Sequence, residues 1–458
     1  MVATEDVHDP VPERSKSKAI RVRLSYLALA TAVGVIAGAI GSVFHLAINT
    51  LLHWPTQLRG VADGPLLVIA AALITLVATV ASVALVRHAA PEAGGSGVQE
   101  VEGAMAGQRE IHGARVLPVK FVGGIAAIGS GLVLGREGPT IHIGASVAAM
   151  LSRRFALDAT ERSGLLAAGA AAGLACAFNA PIAGVLFVIE ETRRQFPYRY
   201  DTYMGVIAAS LLSTVMTQWI GGMAPDLTMQ AARMPMAMLP LFVLLGGLLG
   251  AVGVLLNASL LKALDFAAAI GAKAPYLYPA VIGAAVGALL VLLPQTVTGG
   301  EAVITALVRE QPGVMILVAL AAVRFCTTVG SYSTGVPGGI FAPILSLAAC
   351  IGLAFAGVLN MIVPDGSLIP AAFAIAAMGG LFTACVRSPI VGVVLTLELT
   401  GAYDVAVPLL ATCLVANLTA QWLGGKPIYE QLLARTLAAG GIKQQARSAK
   451  SDDATREV

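Results

Sequence analysis

Charge is what this sequence has least of. Only 12% of its 458 residues are Asp, Glu, Lys or Arg, and 57% are hydrophobic, whereas soluble globular chains carry about a quarter charged residues. Apolar stretches recur from about Ser25 to Leu437, and polar sequence gathers at the two ends. A water-soluble globular protein is thereby excluded. An all-α integral membrane protein is what remains, and at roughly 20 residues per crossing the length has room for about a dozen spans plus shorter pieces. Cysteine is also scarce: Cys176, Cys326, Cys350, Cys385 and Cys413 all lie in apolar segments without a Cys-x-x-Cys pair. That excludes a disulfide framework and a zinc site, and the five read as buried small hydrophobes. Six dispersed histidines form no metal cluster, and His142 reads as packing. No His-Ser pair or Asp-rich constellation of an intramembrane hydrolase or prenyl-group enzyme is present, so no enzymatic activity, cofactor or metal is expected. The net charge of +3 makes no case for nucleic acid.

What charge there is has a position. Arg14, Lys16, Lys18, Arg21 and Arg23 precede the first apolar run; Arg193, Arg194 and Arg199 form a second basic loop; Arg435, Lys443, Arg447 and Lys450 follow the last apolar segment. By the positive-inside rule all three are cytoplasmic, which places both termini inside the cell membrane of a multi-pass protein. The first twenty residues are no cleavable signal, because the apolar run behind them is about twice the length of a signal core.

The early spans, Ser25 to Leu52 and Pro65 to Val86, are long. Later ones are broken by Gly94-Gly95-Ser96-Gly97, Gly135-Arg136-Glu137-Gly138-Pro139, Asn179-Ala180-Pro181, Gly335-Val336-Pro337-Gly338-Gly339 and Arg387-Ser388-Pro389. Non-helical backbone at membrane depth is tolerated only where protein buries it or it lines a watery cavity, so these breaks predict a solute path. The chain also echoes itself. Ala180 to Leu186 and Ile189-Glu190 match Ser388 to Val394 and Leu397-Glu398 at an offset of 208, and Gly135 to Ala149 can be laid on Gly335 to Ala349 at an offset of 200. A duplicated unit follows, with sites expected on paired discontinuous helices at the repeat interface. The Ala/Gly-rich run from Ala167 to Ala177 predicts close helix packing inside the bundle.

Three of the breaks share one chemical logic. In Gly135-Arg136-Glu137-Gly138-Pro139-Thr140 the proline suits a first helical turn, and the helix start it marks presents free N–H groups and partial positive charge. Glu137 at that end reads either as a capping carboxylate or as a tethered anion that occupies a site a free anion would fill; an ionisable group in membrane sequence is a functional candidate. Gly95-Ser96-Gly97 offers a hydroxyl, and Gly338-Gly339-Ile340-Phe341-Ala342-Pro343 offers only backbone. Helix termini converging on an anion fit all three, and partial charges suit rapid passage better than a Lys or Arg that holds on.

Gly95-Ser96-Gly97-Val98, Gly135-Arg136-Glu137-Gly138-Pro139 and Gly339-Ile340-Phe341-Ala342-Pro343 resemble the three signature motifs of the CLC family of chloride channels and transporters. Gly424-Gly425-Lys426-Pro427-Ile428-Tyr429 resembles that family's last helix, and the order holds from about residue 25 to residue 440. The resemblance implies a CLC-type bundle of tilted and discontinuous helices in two inverted repeats (about 21–220 and 235–440) within a membrane domain of 21–440. It also implies a homodimer in the bilayer with one anion path per subunit. Ser96 and Tyr429 would donate hydroxyls to a chloride ion together with the N–H groups of Ile340 and Phe341. Glu137 would be the external gate and proton acceptor. Glu191, the second acid of Glu190-Glu191, would accept the proton from inside, which favours a proton-coupled chloride antiporter of the plasma (inner) membrane over a passive channel. Arg193 and Arg194 are alternative partners for Glu191, and its repeat counterpart is Leu399. Arg136 is expected to be structural. One departure concerns selectivity: where the family has proline this chain has Gln99, which adds an amide near the anion. Ser96 supports chloride; fluoride- or nitrate-preferring exchange is the lesser alternative. The tails 1–20 and 441–458 are expected to be cytoplasmic, the second too short for paired regulatory (CBS) domains, as in a prokaryotic member.

Overall fold

The computed structural model describes residues 13–155, 157–222, 227, 229, 234–362 and 369–439, with side chains from residue 23 onward. The tail 441–458, with Lys443, Arg447 and Lys450, and residues 1–12 lie outside the described residues.

Among the described residues the chain is helical. The first half comprises α1 (Glu13–Leu51), α2 (Trp54–Leu58), α3 (Gly64–Ala89), α4 (Val98–Met105), α5 (Gly113–Gly129), α6 (Glu137–Arg154), α7 (Ala159–Phe178), α8 (Pro181–Glu191) and α9 (Tyr200–Gly221). The second half comprises α10 (Leu239–Lys273), α11 (Leu277–Leu292), α12 (Glu301–Glu310), α13 (Val314–Ser333), α14 (Phe341–Ile362), α15 (Pro370–Val386), α16 (Pro389–Thr400), α17 (Ala406–Trp422) and α18 (428–439). Seven helical stretches are long and apolar enough to cross a bilayer, and others such as α11, α15 and α16 are apolar but short. The room for about a dozen spans is thus divided between full crossings and part-length helices. α1 starts at Glu13, so the basic segment Arg14–Arg23 continues directly into the first apolar run.

The Ala/Gly stretch does what its small residues allow. Residues 164–178 of α7 are all buried. A Cβ on Gly169 would stand 2.7 Å from the Gly144 carbonyl carbon, and one on Gly173 would meet Thr140 backbone at 2.6 Å. α6 and α7 therefore touch backbone to backbone, the packing mode that dispersion favours in lipid. Four of the five cysteines are buried as expected; Cys326 on α13 is exposed instead, because it falls on the outer face of that helix.

The duplication is visible in the helix starts. α8 begins at Pro181 and α16 at Pro389, 208 residues apart, and each follows a left-handed residue, Asn179 (φ 52°) or Arg387 (φ 72°). α6 begins at Glu137 and α14 at Phe341, 204 residues apart, with Pro139 and Pro343 each at the third position. The offset of 200 is therefore corrected by four residues. Gly and Ala match at many registers, whereas a helix start with its proline has one.

α8 and α16 exchange caps. Glu190 accepts the N–H groups of Ile390 (3.2 Å) and Val391 (2.8 Å), while Glu398 accepts those of Ile182 (3.2 Å) and Ala183 (2.7 Å). Each half thus supplies the carboxylate that closes the other half's orphan first turn, which also suits the positive helix end. The three basic segments meet on one face: Arg23 (3.5 Å) and Arg199 (4.0 Å) share Asp201, and Arg194 pairs with Glu430 of α18 at 3.6 Å.

Glu398→Ala leaves two N–H groups at the start of α8 without acceptors and should destabilise the protein by about 1–2 kcal/mol, as should Glu190→Ala at the other end. The double variant should lose less than the sum if the two caps form one coupled unit. Unfolding in detergent, followed for both singles and the double, tests this.

Candidate functional site

Two isolated backbone pairings tie the broken helices together. Gly95 N–H donates to Val336 O (3.0 Å) and Gly338 N–H to Gly95 O (3.1 Å); Gly135 and Gly339 exchange both hydrogen bonds, at 2.8 and 2.7 Å. These pairings bring the starts of α4, α6 and α14 to one place. A helix start leaves its first N–H groups without intrahelical acceptors, so three sets of donors face a shared centre.

The turn before α4 requires glycine. Gly97 has φ 91°, and a Cβ there would press into the His142 ring. His142 is buried behind the turn, as packing would have it, although neither ring nitrogen finds a partner among the described residues. Gly138 is required for a different reason: its Cβ would meet the Ser96 side chain, and Ser96 Cα and O at 2.9 Å. α6 can approach Ser96 this closely only because position 138 has no side chain.

The expected site residues come together here. Ser96, Glu137, Phe341 and Tyr429 have no solvent exposure, and Ile340 has 1%. The Phe341 and Tyr429 rings lie 6.0 Å apart, within a collar completed by Phe382 (4.9 Å from Phe341), Phe187 (5.6 Å) and Phe178 (6.5 Å). The Tyr429 hydroxyl faces Ser96, and Glu137 lies within its electrostatic range. A Cβ on Gly339 would stand 3.4 Å from Glu137 Oε2, and Ala342 N–H faces the same carboxyl. Yet Ser96 Oγ, the Tyr429 hydroxyl and both Glu137 oxygens complete no hydrogen bond with a described residue. Buried polar groups are normally satisfied, so four unsatisfied atoms in one place mark a ligand site.

The neighbouring cations are all engaged. Arg136 donates to Ala177 O (3.0 Å), contacts His45 Nε2 (3.0 Å) and pairs with Glu301 (3.5 Å), so it is structural, as expected. Lys120 on α5 is fully buried and donates to Ala93 O (3.0 Å) and Gly95 O (2.6 Å). It engages the carbonyl side of the Ser96 turn. Arg324 on α13, also fully buried, binds the carbonyls of Gln295, Val297, Thr298 and Gly299 at 2.8–3.3 Å and Ser346 Oγ, fixing the loop before α12. Sequence reasoning missed Lys120 and Arg324, although the rule that singled out Glu137, an ionisable group within apolar sequence, applies equally to both.

Glu191 stands elsewhere. It accepts a hydrogen bond from Ser388 Oγ (2.8 Å) and forms no ion pair with Arg193 or Arg194. With Glu102, Glu190, Arg387 and Glu430 it borders a cavity of about 230 Å³. A larger cavity of about 710 Å³ runs along the Leu432–Thr436 face of α18 to Gly95, Gln99 and Tyr332. The two cavities are neighbours, with Gln108 lining both.

The family described as voltage gated chloride channel matches residues 78–421. The chain is 42% identical over 428 residues to the H(+)/Cl(-) exchange transporter ClcA of Vibrio parahaemolyticus, covering 92% of each. It is 41% identical over 443 residues to the protein of that name from Citrobacter koseri, covering 93% of this chain and 92% of the relative. Among solved structures, a slow cyanobacterial Cl−/H+ antiporter superposes with a TM-score of 0.87 at 36% identity, over 90% of this chain and 98% of that one. A CLC-type fluoride/proton antiporter shares the fold, with a TM-score of 0.71 at 20% identity over 86% and 95%.

Gly138→Ala should separate α6 from the Ser96 turn while leaving the rest of the bundle intact. Chloride binding measured by calorimetry on purified protein should fall below detection, whereas the chromatographic profile of the folded protein is retained.

Proposed function

The chain belongs to the voltage gated chloride channel family, and from that premise we propose that it is a secondary active transporter exchanging chloride for protons, with one anion pathway in each subunit. What carries the reading is that Ser96, Glu137, Phe341 and Tyr429 share one buried site with open hydrogen-bonding valences, while a second carboxylate, Glu191, borders a cavity. Chloride is held by the hydroxyls of Ser96 and Tyr429 and by the N–H groups of Ile340 and Phe341. These are neutral donors, strong in a water-poor site and weak enough to release.

Glu137 is the gate and outer proton acceptor. Charged, its carboxylate competes with chloride for the same helix-end donors; protonated, it has no claim on them and swings aside, so each proton taken up frees a position for an anion. Glu191 takes protons from the inner solution. The Ser388 hydroxyl holds it in place and, unlike an arginine, leaves it free to exist in either protonation state. Glu190 has a different duty, that of a helix cap, which is why only the second acid of the pair is assigned to proton transfer.

The basic face that gathers Arg23, Arg194 and Arg199 is the cytoplasmic one, in a cell (inner) membrane with both termini inside. The protein works as a homodimer through the face that α8 and α16 share. Glu190 and Glu398 are half-buried on a face that exposes Ile182 (57%) and Ile390 (55%), and a carboxylate beside lipid is costly. A second copy, presenting the same apolar face, removes both from lipid.

Reconstituted in liposomes, the wild type should move protons uphill when given a chloride gradient. Chloride movement with no proton flux would make it a passive channel. Glu137→Gln should end proton movement while chloride still passes. Glu191→Gln should abolish proton coupling and spare anion transport; unchanged proton flux in that variant would remove Glu191 from the mechanism.

A further inference from the structure

The narrow end of the larger cavity is where this chain departs from the family motif. Gln99 stands at the second position of α4, 7% exposed, two residues beyond the Gly97 turn. Among the described residues its side chain makes no hydrogen bond: Oε1 is enclosed without a partner, and Nε2, 3.7 Å from where a Gly95 Cβ would stand, is the end that reaches the cavity. The Tyr332 hydroxyl flanks the same point at 3.5 Å. The enclosed oxygen fixes which end of the amide stays inside, so the NH2 is the end left for a ligand in the cavity to engage. The NH2 is the donor this side chain offers there, and Leu432, Arg435 and Thr436 of α18, the helix that carries Tyr429 in its first turn, line the same cavity.

The charges around the cavity narrow the choice of ligand. Arg109 is paired with Glu100 at 2.8 Å, Arg115 with Glu92 at 2.6 Å, and Arg435 with Asp265. With those guanidinium charges answered by carboxylates, the donors left at this end of the cavity are the Gln99 amide and the Tyr332 hydroxyl, and of the two only the amide stands where the family motif has proline. A proline here offers neither donor nor acceptor.

We propose that the Gln99 side-chain amide is an additional halide ligand, receiving the anion on the vestibule side of the Ser96–Tyr429 site and setting the affinity for chloride from that side. The inference rests on the transport reading above. Chloride reaching the neck exchanges water for the Gln99 NH2 before its remaining hydration is replaced by Ser96 and Tyr429. The contact acts on loading from one face, not on the gate at Glu137.

The test is chloride flux in inside-out and right-side-out membrane vesicles, comparing wild type with Gln99→Leu and Gln99→Glu. Gln99→Leu should raise the apparent KM for chloride on the vestibule side roughly tenfold, the weight of one hydrogen bond to a charged group, and leave the KM on the opposite side unchanged. Gln99→Glu keeps the shape but removes the donor and adds repulsion, so its KM on the vestibule side should rise further. A vestibule-side KM within twofold of wild type in Gln99→Leu, or an equal rise on both sides, overturns the proposal. Should the variants fail to fold, the wild type soaked in bromide decides: an anomalous peak in contact with Gln99 Nε2 supports the assignment, and a peak at Ser96–Tyr429 alone overturns it. Wild-type protein that moves no anion in either vesicle type defeats the transport reading itself, whereas wild-type flux insensitive to Gln99 defeats this inference only.

Discussion

Backbone hydrogen bonding in a bilayer is the constraint on which the rest of this structure depends. A helix that stops part-way leaves N–H and C=O groups that lipid cannot satisfy. Here the pairings of Gly95 with Val336 and Gly338, and of Gly135 with Gly339, satisfy part of that demand and fix where the stumps point. Lys120 then binds the carbonyls of Ala93 and Gly95. With carbonyls engaged on the outside of the turn, the groups left facing inward are N–H donors and hydroxyls. The donor character of the site therefore follows from which half of the peptide group has been used up.

Duplication supplies the frame, and departures from it supply the chemistry. Glu190 and Glu398 occupy equivalent positions and do equivalent work, each capping the other half's helix. Glu137 has no such twin: its structural counterpart is Phe341, which begins α14 as Glu137 begins α6. Glu191 faces Leu399 in the same sense, and its hydroxyl partner Ser388 corresponds to Ala180. A symmetric pair of acids would give two gates or none. Breaking the symmetry puts Glu137 beside the unsatisfied hydroxyls of Ser96 and Tyr429 and Glu191 at the border of a cavity, the arrangement the proposed exchange needs if protons and anions are to travel by different routes over part of their way.

Much of this was legible in the sequence because the signals are local. Gly-rich breaks followed by proline mark helix starts wherever they occur, and Ser96, Glu137, Ile340 and Phe341 stand at such marks, whereas Tyr429 was reached only through the family resemblance. The Ala167–Ala177 run predicted its own burial through size alone. The alignment of Gly135 with Gly335 went wrong by four residues because small apolar residues carry little register information. The partners of Glu190, Glu191 and Arg324 were not legible either. Glu191 is two residues from Arg193 along the chain but hydrogen-bonds Ser388 across the repeat boundary, a relation created only by folding. Sequence proximity offered the arginine pairing as an alternative, and the hydroxyl of Ser388 could not be foreseen from it.

The same economy of charge extends from the central site to its approaches. A free guanidinium at the vestibule neck would attract chloride strongly, but desolvated ion pairs are slow to part, and a transporter gains nothing from an anion it cannot release. Pairing Arg109, Arg115 and Arg435 with carboxylates leaves a mild field that a moderate dipole can complete. Within that field a single carboxamide has influence it would lack beside an unpaired arginine. On the proposed reading an anion meets a graded series: water in the vestibule, an amide and a phenol at Gly95, and finally hydroxyls and peptide N–H groups under Glu137. Each step on that reading exchanges one set of neutral donors for another of similar strength, so no step is a deep well, and the charge that competes with the anion for the inner donors belongs to the carboxylate that a proton can remove.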